Sequence, residues 1–315
     1  MSVTFSGGGV TISGGGWTLE APPAGVKAIF GYGTTASGVT AITNLVSDTG
    51  VVANDTAGVG TARYQLAAAG YGTDKAIFGY GNSGAPNYTY LSMTNLVSNT
   101  GVVGNDVTGV GTVRMGLAAA GYGGDKAIFG YGATATTQNA ITNLVSNTGV
   151  VANDTAGVGT IREQLAAAGY GGDKAIFGYG YTPSPGRVSI TNLVTNTGVV
   201  GNDVTGVGTA RTALAAATYG GDKAIFGYGY AEAGPQSITN LVSNTGVVAT
   251  DTVGVGTARY AIAAAGYSTD KAIFGYGTTG TKVSITNLVT NTGVVGNDVT
   301  GVGTAREALA AASYG

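Results

Sequence analysis

The sequence contains no cysteine and no histidine, and only 10% of its residues are charged. Without cysteine there is neither disulfide nor thiol chemistry, so the fold must hold by packing alone. The missing histidine removes the most frequent general base, the most frequent metal ligand and every Ser-His or Cys-His nucleophile arrangement. Basic residues number 14 against 16 acidic, a net charge of −2, with no basic run. That balance lacks the counterion-release attraction that drives binding to DNA or RNA. The segment Met1 to Trp17 has neither a charged start nor an apolar run long enough for a signal peptide or a membrane span. Calcium loops of the Asp-x-Asp-x-Asp-Gly type are missing, and the many Gly-x-Gly strings recur as strand ends, which argues against a phosphate loop. No cofactor or metal is expected.

What the chain has instead is glycine, 58 residues of it, and a repeat. Lys-Ala-Ile-Phe-Gly-Tyr-Gly begins at Lys27, Lys75, Lys126, Lys174, Lys223 and Lys271, at spacings of 48 to 51 residues. Each copy is followed by a variable loop, then Thr-Asn-Leu-Val, Thr-Gly-Val-Val, an aspartate turn and Gly-Val-Gly-Thr ahead of an arginine. The arginines are Arg63, Arg114, Arg162, Arg211, Arg259 and Arg306, and each leads into a run such as Leu66 to Gly72. Short β-branched and aromatic runs broken by Gly, Asn and Asp predict strands and turns, about four strands per repeat. The Leu-Ala-Ala-Ala stretch has helical propensity but is too short and too closely flanked by glycine for an independent helix.

The phase of the repeats predicts closure. The first repeat opens at Lys27 without the Arg-to-Gly-Tyr strand that precedes the other five, and the chain ends on that missing piece, Arg306 to Gly315. Val26 stands where the other repeats carry Asp74, Asp125, Asp173, Asp222 and Asp270, as expected where the covalent turn is broken. The expected fold is all-β: a six-bladed β-propeller of four-stranded blades over residues 27–315, its ring closed by the C-terminal strand completing blade one. Residues 1–26 are expected to form a separate Gly-rich attachment segment. The turns alternate between Asn-Asp-Thr-Ala and Asn-Asp-Val-Thr, with an imperfect fifth copy, which suggests duplicated blade pairs and a pseudo-threefold ring.

Charges and aromatics that recur once per blade predict hydrogen bonding, ion pairing and packing between blades rather than a catalytic site. Symmetry is broken by the loop after each Gly-Tyr-Gly. The longest spans Asn82 to Met93 and carries Tyr88 and Tyr90; the fourth offers Tyr181 and Arg187; the fifth, Tyr230 and Glu232. Exposed aromatics of this kind stack on sugars or anchor a protein partner. Drift of unconstrained loops is the alternative.

The order arginine, apolar strand, Gly-Tyr-Gly, variable loop and strand resembles the kelch family of propellers over residues 27–315. The resemblance implies four-stranded blades and says nothing of function. It departs from the family in having Gly-Tyr-Gly for the usual paired glycines and no tryptophan late in each repeat. The alternating amino-terminal segment, with Val3, Phe5 and Trp17, reads as a strand or hairpin and is similar to the starts of tailed-bacteriophage virion proteins. Together these imply a non-enzymatic virion or extracellular display protein, a fibre, spike or capsid decoration. Its expected partners are other virion or filament subunits through that segment and a host-surface glycan or protein through the loops, and a homo-oligomer is allowed. A secreted or surface lectin-like propeller is the rival, and sugar binding would distinguish it. A lyase or glycosidase would need an asymmetric carboxylate pair, and Glu232 has no obvious partner in the sequence.

Overall fold

The computed structural model describes residues 2–6, 9–13 and 25–315. Among them there is no helix. Ser2–Ser6 and Gly9–Ser13 pair as an antiparallel hairpin. Val3 and Phe5 lie on its first strand; Trp17 lies outside the described residues.

Every repeat yields one three-stranded antiparallel sheet. Sheet two shows the order, with longer second and third strands than the others: Ala67–Tyr71 turns through Gly72 to Asp74 into Lys75–Asn82, which pairs with Tyr90–Val97. The alanine-rich run is therefore a strand, and its small side chains have a reason. Each first strand touches the first strands of both neighbouring sheets. A Cβ added to Gly70 would lie 3.2 Å from the Ser313 carbonyl oxygen, so bulk on that face would force the strands apart. Middle strands are buried on both faces: Ala28, Ile29 and Phe30 are wholly inaccessible. That burial explains the continuous apolar run, because neither face meets water.

The Phe-Gly-Tyr-Gly signature is an interface between sheets. Phe78 of sheet two packs on Tyr32 of sheet one with ring centroids 5.1 Å apart, and a Cβ on Gly31 would sit 2.8 Å from the Phe78 ring. Glycine before tyrosine is the space for the next sheet's phenylalanine. The same pair recurs up to Phe30 on Tyr276, which joins sheet one to sheet six.

Sheet one draws its first strand from the far end of the chain. Ala310–Tyr314 pairs with Lys27–Gly31 in the register of the other hairpins, Tyr314 opposite Lys27, and Thr43–Val46 pairs on the other side. Ala310–Tyr314 also touches Ala263–Tyr267 and Ala67–Tyr71.

A full fourth strand does not form. Residues after Thr43–Val46 make only two isolated bridges, Val46 with Val52 and Thr43 with Thr56. Between them the Asn44 side-chain amide donates to the Asp55 carboxylate and to the Ala53 carbonyl, a backbone group that a ladder would have used. The alternation of turns leaves no mark on the backbone either. Val107 bridges Thr94 as Thr56 bridges Thr43, with the same reciprocal hydrogen bonds.

The repeated arginines are fully buried between sheets. Arg63 donates to Asn95 Oδ1 at 2.6 Å and to the Thr61 carbonyl at 3.0 Å, and its guanidinium lies 4.4 Å from the centre of the Tyr32 ring. Asp106 stands 3.8 Å away and accepts from the Thr61 N–H and hydroxyl. The sixth copy spans the chain ends: Arg306 donates to Asn44, and Asp55 accepts from Thr304. The lysines do something different from what was expected. Each except Lys27 pairs with the aspartate immediately before it, as Lys75 with Asp74 at 2.6 Å, so these are exposed pairs local to a hairpin rather than links between sheets. Adjacency in the turn dictates this.

The network predicts two pH limits. Burial acts to raise the pKa of Asp55, but hydrogen bonds from Thr304, Asn44 and the Thr304 backbone, with the Arg306 charge, outweigh it and hold the carboxyl below its ordinary range. Its five counterparts behave alike. Their contribution is complete above the unfolded value of about 4 and is lost as pH falls through the lower folded value. Tyr32 and its five equivalents are pushed up to about 12 by burial, against the opposing charge of the neighbouring arginine. Their contribution is complete below the unfolded value of about 10 and disappears as pH rises through the folded one. Urea midpoints should therefore be flat between these limits and fall steeply beyond each, since six equivalent groups titrate together. A flat acid limb would mean that the Asp–Thr–Asn bonds do not persist in solution.

Candidate functional site

The two ends of the first strands differ in character. One end, at the hairpins, holds a cavity of about 250 Å3 lined by repeated residues, among them Tyr71, Lys75, Asp125 and Lys126, together with Val26. The other end holds a larger cavity of about 580 Å3 to which all six repeats contribute. Its apolar lining is Leu66, Leu117, Leu165, Leu214, Ile262 and Leu309, each three residues after an interface arginine.

One position earlier, the backbone forms a cycle. Gln65 donates its N–H to the Ala308 carbonyl, Ala308 to Ala261, Ala261 to Ala213, Ala213 to Gln164, Gln164 to Gly116 and Gly116 back to Gln65, at 2.6–2.9 Å. All six residues have left-handed backbones, φ 51° to 64°, although only one is glycine. L-residues pay about 1–2 kcal/mol there, and the cycle holds them in place. Ala213→Gly and Ala261→Gly should each raise stability by about 0.5–1 kcal/mol net of glycine's entropic cost in the unfolded chain. Denaturant midpoints check this; destabilisation by either change would show that the Cβ atoms pack usefully.

Around this end stands the residue that directly follows each arginine: Tyr64, Met115, Glu163, Thr212, Tyr260 and Glu307. Sequence reasoning missed this rim. Its signal was present, since the two positions after an invariant arginine vary inside a repeat that is otherwise nearly constant. Tyr64, Tyr260 and Glu307 line the cavity. Glu307 is neutralised by Lys282 at 3.1 Å, and Glu163 accepts from the Gln138 amide at 2.9 Å.

No protein-family model and no curated protein matches this chain. Function has to be read from the site itself.

The loop residues expected to bind are distributed unevenly. Tyr88 is 60% exposed and lines the cavity. Tyr90 is not at the loop tip: it pairs with Asn82 as Val39 pairs with Thr34 in the first repeat, and the inserted residues lie in the turn between Asn82 and Tyr90. Tyr181, Arg187 and Tyr230 are brought together. Tyr181 bridges Arg187, whose guanidinium lies 5.0 Å from the centre of the Tyr230 ring, and Tyr230 meets Tyr260 edge-on at 5.0 Å. A row of aromatic and guanidinium groups thus runs from the cavity wall outward over three sheets. Glu232 is exposed on the turn of the Tyr230–Ala231 and Gly234–Pro235 ribbon and makes no ion pair among the described residues. Groups of three or more potential acidic or sulfur metal ligands do not occur among the described residues.

Proposed function

We propose that the six sheets form a closed six-bladed propeller of kelch-like design, and that the chain is a display scaffold acting by contact rather than turnover. Closure is supported by the Arg306–Asn44–Asp55–Thr304 network, which repeats at the chain ends the contacts of the other five interfaces. The display role is carried by one observation. Val26, the point from which the amino-terminal segment departs, lines the hairpin-end cavity, whereas the varied rim and the Tyr88 loop lie at the opposite end of the first strands. One face then serves as a mount and the other as a recognition surface. In keeping with the resemblance of the amino-terminal segment, the setting is a virion fibre, spike or decoration, with residues 1–26 attached to a neighbouring subunit.

Cryo-electron microscopy of the particle from which the chain is purified tests this reading. Rings mounted by the hairpin end, with the Tyr64–Tyr260 rim outward, are expected. A ring whose rim is buried against the particle body, or a chain found only as a free monomer, overturns it.

A further inference from the structure

We propose that the axial cavity at the rim end binds an uncharged saccharide. The inference rests on the reading of that end as the recognition face and gives it a ligand class. A sugar ring offers one apolar C–H face and an edge of hydroxyls, so its site needs aromatic side chains beside planar amides or carboxylates. The cavity supplies both kinds. Tyr64 and Tyr88 come from one side and Tyr260 from another, and Gln65, Gln164 and Glu307 stand between them. At about 580 Å3 it lies within the range of small-molecule sites, about 300–1,000 Å3.

The hydrogen-bonding inventory favours a neutral donor. Gln65 lines the cavity, and its buried Oε1 has no partner among the described residues, so a turn of the amide breaks no bond of that oxygen and would present it to a ligand hydroxyl. Gln164 Oε1 already accepts from Thr212 at 3.0 Å, which orients its amide donors. Among the described residues Glu307 is the one charged side chain lining the cavity, and Lys282 pairs with it. The repeated arginines are buried between the sheets. Sialylated or phosphorylated sugars therefore find no free cation among the described residues that line it. The apolar lining from Leu66 to Leu309 suits the C–H face and offers the hydroxyl edge nothing, which turns that edge toward the amides.

Saturation-transfer NMR on the full chain, with glucose, galactose, mannose, N-acetylglucosamine and their β1,4-linked dimers as probes, tests the proposal. Transfer to ring C–H protons of at least one neutral sugar is expected, and Tyr260→Ala and Gln65→Ala should each weaken it roughly tenfold, equivalent to one strong contact. Val253→Ala, at an exposed residue outside both cavities, should leave it unchanged. Hydrogen exchange on the unmodified protein reports without any variant: the bound sugar should slow the amides of Gln65, Gln164, Ala213, Ala261 and Ala308 and leave those of Gly72 and Gly123, at the opposite end, as they were. No transfer from any neutral sugar, transfer only from sialic acid or sugar phosphates, or slowing confined to the opposite end overturns the saccharide. None of those results bears on which face points away from the particle, so the display reading stands or falls separately by microscopy.

Discussion

Arg63→Met is expected to cost about 3–5 kcal/mol, the effect of removing one partner from a buried ionic and hydrogen-bonded cluster. The methionine fills much of the volume but leaves Asn95 Oδ1 and the Thr61 carbonyl without their donor and Asp106 without its counter-charge. It also strips the cation from the face of Tyr32. Arg306→Met should cost the same, because its partners Asn44 and Asp55 occupy equivalent places despite lying some 250 residues away along the chain. Guanidinium unfolding measures both. In a closed ring each variant lowers the midpoint of one sharp transition. In an open array, Arg306→Met would be nearly silent and the unfolding would spread out, since repeats then fail independently.

Ending the chain at Arg306 should be more damaging still. It removes the first strand of sheet one with Leu309, Ala310, Ala312 and Tyr314, all at least nine-tenths buried, and the backbone pairing to Lys27–Gly31. Two large side chains and five residues of ladder are worth on the order of 5–10 kcal/mol, comparable with the whole stability of an ordinary domain. The truncated protein is expected in the insoluble fraction, with its exposed edge free to pair between chains. Placing residues 307–315 ahead of Lys27 through an added Gly-Asp, so that Gly315 completes a Gly-Gly-Asp turn, should restore a soluble ring within about 1 kcal/mol of the parent, since such a turn occupies that place in three other sheets. Circular dichroism and sedimentation would follow both; a truncated chain that stays folded and monomeric would mean that sheet one does not need its distant strand.

The period, the strand class and the pairing of the two chain ends were legible because Lys-Ala-Ile-Phe-Gly-Tyr-Gly fixes the phase of every repeat and Val26 marks where it breaks. The missing fourth strand was not. Val51-Val52 reads as β on composition, and nothing in a linear pattern says that the Asn44 amide will take the Ala53 carbonyl. Arg187 and Tyr230 were singled out one by one, while their contact joins two repeats and depends on how neighbouring sheets face each other. Tyr64 and Tyr260 escaped notice for the opposite reason. Sitting beside the repeated arginines, they looked like part of the first strand, and only the left-handed residues after them turn that corner toward the cavity. Tyr90 was read as loop because nothing in the linear pattern marks where the chain, after the inserted turn, returns to pair with Asn82.

The use of both chain ends in sheet one has a consequence for synthesis. Lys27 and Tyr314, paired in the finished sheet, leave the ribosome roughly 290 residues apart, which at 5–20 residues per second is on the order of 15–60 s. For that interval five interfaces can assemble while Lys27–Gly31 keeps a bare edge. A message cut short, or a frameshift late in the reading frame, therefore yields a chain that cannot hide its defect and is open to proteolysis. The codons for Arg306 to Gly315 act as an inspection step on everything translated before them.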